Sequence, residues 1–558
     1  MSKIIGIDFG TTNSLAAFTF DGKTRIITIE DEDGVVESLI PSVICKLNGD
    51  LIVGRKAKDN ASAFTNGDGI AEIKRKIGSG EKIYFAGDYY EPFEISAIIL
   101  KKIKRNAEIE LGGKITEAVI TVPAEFSDAQ RKEIIKAGEN AGLSVKKIIH
   151  EPTAALLAYA ENNIIGSKKI ACYDFGGGTF DISLAHIKGN SLTGKSVSII
   201  GVGGDKELGG SDIDTLLYKF CEEKIYARTF KRLSTLGKRN LRIACEKAKI
   251  RLSSERSTVI SADSIHFEDG TVEGFFQPLS QQDFEQMITP IVSKTVELVR
   301  STFEHNEMHS SDVDLVLLVG GSSKIPLVSK MLKQKLGLKT TFGNINPDEC
   351  VAIGASIEAA NISGQTWKRN AVKIKQDVSP FTLGLKYDDN RSKGLFDPLI
   401  RKNFPYGKEY SEEYSTALDY QNSMKLEIYQ GESSYAYNNE FVTNFEIKGI
   451  PERKAGEERV KVYFIYDENG VLTVRARIMS TGQIVANTFK TDNSKYQNKS
   501  ALDKVNEHFI DEQKVEKALN IARNAEASGY STESNKIINA IRVENENTLD
   551  DLIDDLLS

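Results

Sequence analysis

Cysteine is scarce and scattered. The 558 residues include five (Cys45, Cys172, Cys221, Cys245, Cys350), none in a Cys-x-x-Cys pair, which argues against both a disulfide framework and a zinc site. Of six histidines only His305 and His309 share helical spacing, and no third ligand is near them in sequence, so a solvated helix face is the expectation there. No stretch reaches the ~20 apolar residues of a membrane span, and a strand pattern starts directly after Met1-Ser2-Lys3. The expectation is a cytoplasmic protein with no membrane partner. Neither sign of charge dominates: 72 Lys and Arg against 79 Asp and Glu give a net charge of -7, interspersed along the chain. That leaves no basic footprint for nucleic acid and no polybasic face. A hydrophobic content of 40% with 8% aromatics can fill several cores, and the length exceeds one domain at roughly 150 residues each.

What is present is a phosphate-loop signature that occurs twice, at Gly6-Ile-Asp8-Phe-Gly10-Thr11-Thr12-Asn13-Ser14 and at Asp174-Phe-Gly176-Gly177-Gly178-Thr179-Phe-Asp181. Each follows an apolar, β-branched run that reads as a buried strand ending in a turn. Such a turn offers bare backbone N–H groups, glycine lets it approach a phosphate, threonine adds hydroxyls, and the aspartate can face a hydrated divalent cation. Either copy alone could be an ordinary hairpin. The repetition points to a clamp on a nucleotide.

From residue 1 to about 365 strands and Ala-rich amphipathic helices alternate, the α/β pattern. Around Gly364 to Gln376 apolar density falls and Lys and Arg accumulate, which marks a linker. Beyond it Ser423–Tyr429, Arg459–Tyr466 and Val471–Ala476 alternate apolar and polar residues around an Asn469-Gly470 turn, an all-β texture. From about residue 501 the period becomes helical, and Leu549, Leu552, Ile553 and Leu556 form one stripe that needs a partner surface.

Over residues 1 to about 500 the chain resembles the heat-shock protein 70 family of DnaK-like chaperones. The two loops match its phosphate loops, His150-Glu-Pro-Thr-Ala-Ala155 its connecting helix, Val319-Gly-Gly-Ser-Ser-Lys-Ile-Pro326 its adenosine loop, and Asn346-Pro-Asp-Glu349 the element after it. Length and short C-terminal helices look most like the HscC-type branch. The resemblance implies a multidomain fold: an actin-like, duplicated two-lobed α/β ATPase domain (1–365), a linker (366–378), a β-sandwich that binds extended peptides (379–500) and a short helical lid (501–558). It implies ATP-dependent binding of unfolded polypeptides in protein folding and the stress response, with a J-domain co-chaperone and a nucleotide exchange factor. ATP or ADP, Mg²⁺ and a candidate K⁺ are the implied ligands.

Carried over by resemblance, Lys74 reaches the γ-phosphate, Glu151 orients the attacking water beside Thr179 and Asp181, and Asp8 and Asp174 hold Mg²⁺ through its water shell. Gly10, Thr11, Thr12, Asn13, Gly176, Gly177 and Gly178 cradle the phosphates, with Gly209 and Gly210 beside them. Glu246, Lys249, Ser253, Gly320, Gly321, Ser322, Lys324 and Asp348 would contact the adenosine. Leu385, Tyr414, Ala417, Met424 and Leu426 would line the peptide groove, and Pro123, Arg131 and Asp377 would couple the domains. Read without the family, Lys74 is a solvated face, Glu151 a carboxylate at a helix N-terminus, and the groove residues a sandwich core.

Several positions depart from the family pattern. Lys324 replaces an Arg, and an ammonium cannot stack on adenine as a guanidinium does, so weaker nucleotide binding is expected. Met424 replaces a smaller residue at the central pocket. Lys373 and Lys375 interrupt an aliphatic linker, Lys147 replaces an Arg, and His150 replaces an Asn near the co-chaperone surface. The charged linker and Lys324 motivate an alternative, a nucleotide-gated holdase or exchange partner with little turnover. A small-molecule kinase or filament protein on the same scaffold would leave the β domain unexplained.

Overall fold

The computed structural model describes residues 3–30, 36–47, 49–60, 64, 67–163, 166–190, 194–364, 371–388, 392–468, 470–488, 509–528, 530–542 and 546–557. The strands β1 (Lys3–Asp8), β2 (Asn13–Phe20), β3 (Lys23–Ile26), β4 (Ile115–Val122) and β5 (Ser144–His150) form a sheet in the order β5-β4-β1-β2-β3. A second sheet repeats it: β6 (Gly166–Phe175), β7 (Phe180–Asn190), β8 (Gly194–Asp205), β9 (Leu315–Val319) and β10 (Thr340–Thr341) run β10-β9-β6-β7-β8. In both, the first strand pairs antiparallel with the second and parallel with the fourth. The repeated loop motif is thus the surface trace of a repeated lobe, each loop turning from the first strand of its sheet into the second.

Four helices matter for the site: α1 (Pro92–Leu111), α2 (Asp128–Asn140), α3 (Glu151–Asn163) and α7 (Cys350–Ile362), with α4 (Gly210–Thr229), α5 (Thr235–Leu252) and α6 (Gln281–His305) in the second lobe. Ser127 caps α2, its hydroxyl accepting from the Gln130 amide (3.3 Å) while the Gln130 side chain accepts from the Ser127 amide (3.1 Å). The Ala-rich stretch of α3 is buried where α3 meets α7. A Cβ at Gly354 would lie 1.7 Å from the Ala154 carbonyl, so only glycine permits this crossing. Val372–Gln376 (β11) joins the second sheet in parallel against Lys195–Ser198 of β8. Val372 is buried and Ile374 half-buried, whereas Lys373 and Lys375 are exposed. Strand alternation, not snorkelling, is what accommodates the two ammonium groups.

The β-rich unit packs two four-stranded sheets face to face. The first comprises β12 (Leu383–Tyr387), β13 (Leu395–Ile400), β15 (Ser423–Gln430) and β16 (Glu440–Lys448) in the order β13-β12-β15-β16. The second comprises β14 (Glu409–Ser415), β17 (Arg459–Tyr466), β18 (Leu472–Ile478) and β19 (Ile484–Thr488) in that order. Leu383, Ile428, Phe445, Val462, Phe464 and Val474 fill the space between them. Asn469, in the turn expected from the sequence, lies outside the described residues, as do 366–370 of the expected linker and 489–508.

Helices α8 (Glu512–Ala527), α9 (Ser531–Arg542) and α10 (Glu546–Leu557) bury Leu549 and Ile553 against Val515, Leu519, Ile537 and Ile541, and Leu552 packs at the edge of that cluster. The side chain of Leu556 lies outside the described set. The bundle docks on α1 of the first lobe. Lys104 pairs with Glu512, Lys102 donates to the Arg542 carbonyl, and the Arg105 guanidinium donates to the Ile510 carbonyl at 2.7 Å. The surface that this apolar stripe requires is therefore its own bundle, and the surface that holds the bundle is α1.

Glu139, near the end of α2, is 7% exposed and neither carboxylate oxygen has a hydrogen-bond partner. Burial raises its carboxyl to about 7. A folded-state value above the unfolded one means that the protonated form is favoured in the fold. Stability is then complete below about pH 4.5, and is lost as the pH rises through about 7. Glu139→Gln should accordingly stabilise the protein at pH 8 and leave it unchanged at pH 4. Urea unfolding followed at the two pH values checks this.

Candidate active site

Asp8 closes β1 and Asp174 lies at the end of β6, and the two line one cleft with Gly10, Thr11, Thr12, Asn13, Gly176, Gly177, Gly178 and Thr179. The loops press together: a Cβ on Gly177 would sit 2.0 Å from the Thr12 hydroxyl, and one on Gly178 2.6 Å from that of Thr11. Nothing larger than glycine fits between them. Lys74, on the short 3-10 turn Ile73–Lys76, is 3% exposed and forms an ion pair with Glu151 at the start of α3. Its Nζ also lies 5.7 Å from the Phe126 ring centre. A solvated-face reading of Lys74 is excluded by this burial.

Three cleft-lining carboxylates, Asp8, Glu151 and Asp174, face one ammonium here, and Asp181 is buried close enough to act on Asp174. Desolvation, then the Glu151 charge, raises Asp8 to about 7, with Lys74 and a 3.3 Å hydrogen bond from Thr121 opposing. Asp174 is held well above the usual carboxylate range by burial and by Glu151, Asp181 and Asp8. Asp181 is raised to about 8 by burial and Glu151, although it accepts from the Ala124 amide at 2.9 Å, and its second oxygen is buried with no partner. Crowded, under-compensated oxygen donors of this kind suit a hard divalent cation such as Mg²⁺.

At the other end of the cleft Gly320, Gly321, Pro347 and Asp348 form the wall. The Ser322 hydroxyl donates to the Gly176 carbonyl (2.9 Å), and Lys324 pairs with Asp348 at 2.5 Å, which fixes the ammonium against a carboxylate. Gly210 donates to the Gly176 carbonyl (3.0 Å), so the start of α4 is spliced onto the second glycine loop beside Gly209. Glu246 and Lys249 lie on α5, with Ser253 at its C-cap. Lys249 reaches the Gly210 carbonyl (3.1 Å) and Asp214 (2.6 Å), and Glu246 pairs with Lys58 at 2.8 Å. Glu246, Lys249 and Ser253 do not line the central cleft, and of the three Lys249 reaches the start of α4 beside the second glycine loop. Sequence reasoning missed Asp214, raised to about 6 by burial. It also missed Arg75, which ties the Gly178 carbonyl (3.0 Å) to Asp212 (3.1 Å). Arg75 adjoins Lys74, the one signal that could have singled it out.

Behind the cleft runs a chain of contacts to the β-rich unit. Ala124, next to Pro123, donates its amide to Asp181 and accepts at its carbonyl from Arg131 (3.1 Å). Arg131 meets His150 Nε2 at 2.7 Å, and His150 Nδ1 meets Asp377 at 3.2 Å. Arginine only donates, so Nε2 is the acceptor and the proton sits on Nδ1, directed at Asp377. Thr153 donates to the other Asp377 oxygen (3.2 Å). His150, expected near a surface, is 1% exposed; Lys147 is spent on Glu358 at 2.7 Å. Tyr406 of the β-rich unit lies 6.0 Å from the His150 ring, and Lys402 pairs with Glu125 at 3.1 Å. In that unit Leu385 and Leu426 are buried in the same cluster against which Tyr414 and Met424 pack, while Ala417 is exposed on the loop after β14, its amide donating to Gln421 at 2.8 Å.

Among the described residues no group of three or more His, Cys, Asp or Glu is arranged to ligate a metal directly, His305 and His309 included, and no helix is long and apolar enough to cross a membrane. The Hsp70 protein family model matches residues 4–83 and 80–556. A curated relative, the chaperone protein DnaK of Mycoplasma mobile, is 38% identical over 494 residues, covering 88% of this chain and 79% of that one. With two like lobes closing on one acid-lined cleft and a β-rich unit attached behind it, the chain belongs to the Hsp70 family.

Proposed function

We propose that the first two lobes bind ATP with Mg²⁺ and hydrolyse it, and that the β-rich unit grips extended apolar segments of unfolded polypeptides with an affinity set by the bound nucleotide. Membership of the Hsp70 family makes the chain an ATP-dependent chaperone and an ATPase. The observation that carries the residue-level reading is the meeting of both glycine loops, Lys74, Asp8, Glu151 and Asp174 in one cleft. Lys74 offsets charge at the terminal phosphate, and Glu151 orients the attacking water with Thr179 and Asp181. Mg²⁺ at Asp8 and Asp174 would supply the positive charge that phosphates require beyond one lysine. Leu385, Tyr414, Met424 and Leu426 form the groove, where one Leu-sized side chain contributes about 2 kcal/mol by burial.

The layout fits an ATPase unit over 1–365, a connecting segment over 366–378, a peptide-binding sandwich over 379–500 and a helical tail over 501–558. The docked bundle of α8 to α10 supports a lid held off the groove, and its brevity favours the HscC-type branch. A J-domain co-chaperone, an exchange factor, K⁺ as a second cation and the cytoplasm complete the reading. A fluorescent apolar peptide titrated in ATP and in ADP, with and without residues 501–558, tests it. The expected result is roughly tenfold weaker binding in ATP. Equal affinity in both nucleotides would instead favour a holdase without coupling.

A further inference from the structure

We propose that Arg75 is a positioning residue for ATP hydrolysis: it clamps the second glycine loop to the turn that carries Lys74, so that loop and lysine meet the terminal phosphate as one unit. The proposal rests on the reading of Lys74 as the group that meets that phosphate. Every glycine carbonyl of the loop is held by a donor that does not itself line the cleft. The Gly210 amide donates to Gly176 (3.0 Å), the Ser211 amide to Gly177 (2.8 Å) with the Ser211 hydroxyl beside it (2.9 Å), and Arg75 Nη2 to Gly178 (3.0 Å). In a planar trans peptide the C=O of one residue and the N–H of the next point in opposite directions. These bonds therefore turn the amides of Gly177, Gly178 and Thr179 away from the donors, on the side where the cleft lies. Two of the three glycines are held by α4, from their own lobe. The third is held from the first lobe, by the neighbour of Lys74, on a turn whose flanking Ile73 and Ile77 belong to the first lobe's core.

The guanidinium has little freedom. Asp212 accepts from the same Nη2 at 3.1 Å and also from the Gly209 amide at 2.8 Å, which fixes the carboxylate in turn. On the other side of Lys74, Glu72 takes a left-handed backbone with φ of 57° and accepts from the Ser211 hydroxyl at 2.8 Å. Lys74 is thus bracketed by two residues that are both bonded to the second lobe. The Nε of Arg75 is buried with no acceptor, a cost that stability alone does not explain. A displacement of about 1 Å between Lys74 and the loop amides would blunt both, since each must meet the same phosphate oxygens. The same contacts could serve merely as a staple between lobes that retains nucleotide, and the experiment separates the two roles.

Hydrolysis by the full chain is followed in a single turnover, and ATP affinity is measured separately. Arg75→Ala should slow hydrolysis about tenfold while the dissociation constant for ATP moves less than about threefold. Because Arg75 acts through Lys74, the double variant Lys74→Ala/Arg75→Ala should be no slower than Lys74→Ala alone. In protein free of nucleotide, amide hydrogen exchange over residues 174–181 should be about tenfold faster in Arg75→Ala. Where Arg75→Ala does not fold, Arg75→Lys, which keeps the charge and shortens the reach, serves for the same comparisons. A loss carried by affinity alone, as a staple predicts, an additive double variant, or unchanged exchange overturns the proposal. If Lys74→Ala hydrolyses ATP as fast as the unaltered chain, the reading of Lys74 fails and this one with it; a slow Lys74→Ala beside an unimpaired Arg75→Ala overturns this one alone.

Discussion

Lys74→Ala lowers the turnover number for ATP hydrolysis by about 10²-fold. The lysine is buried, paired with Glu151, and is the one ammonium among the cleft-lining residues, facing Asp8, Glu151 and Asp174. A preorganised charge acting where negative charge builds up contributes roughly 3 kcal/mol to the transition state, whereas an exposed ion pair contributes about 0.5. Removal also leaves carboxylates uncompensated, which weakens nucleotide binding unless extra cation is supplied. Phosphate release in a single turnover, with nucleotide affinity measured separately, divides the two effects. Turnover within about threefold of the unaltered chain would return Lys74 to a structural role.

Asp377→Ala should collapse the difference in peptide affinity between ATP and ADP to within about twofold while basal hydrolysis changes by less than about threefold. Asp377 is 14% exposed and receives His150 and Thr153. Its carboxylate lies below the usual range because the His150, Val378 and Arg131 interactions outweigh the cost of burial, so it stays ionised at neutral pH. His150 rests on Arg131, and Arg131 on the carbonyl of the residue whose amide holds Asp181. Removing the carboxylate breaks the last step of that series and leaves the cleft intact. Peptide anisotropy in each nucleotide, beside steady-state hydrolysis, reads both quantities from one preparation. Unchanged nucleotide dependence would show that coupling runs elsewhere, for instance through Lys402 and Glu125.

Most of the fold was legible because each element carries its period. The β-branched runs before Asp8 and Asp174 are strands, Arg459–Tyr466 alternates as it should, and the tail is helical. The site was legible where function demands consecutive residues, in the two glycine loops and in Gly320 and Gly321. It was illegible where partners come from distant segments: Arg75 with Asp212, Lys58 with Glu246 and Thr121 with Asp8 leave no local pattern. The charged linker misled for a related reason. Composition shows that Lys373 and Lys375 are present, and only the pairing of β11 with β8 shows that both face outward.

Residue order alone fixed that there are two glycine-rich loops, an α/β part, a β part and a helical tail, since turns, strand alternation and helical spacing are short-range consequences of side-chain shape and polarity. Three-dimensional packing decided that the loops confront each other, that His150 is buried on Asp377, and that the terminal bundle lies on α1. Those outcomes depend on which surfaces meet after hundreds of intervening residues, and burial, charge and hydrogen-bond partners are properties of the meeting rather than of either segment.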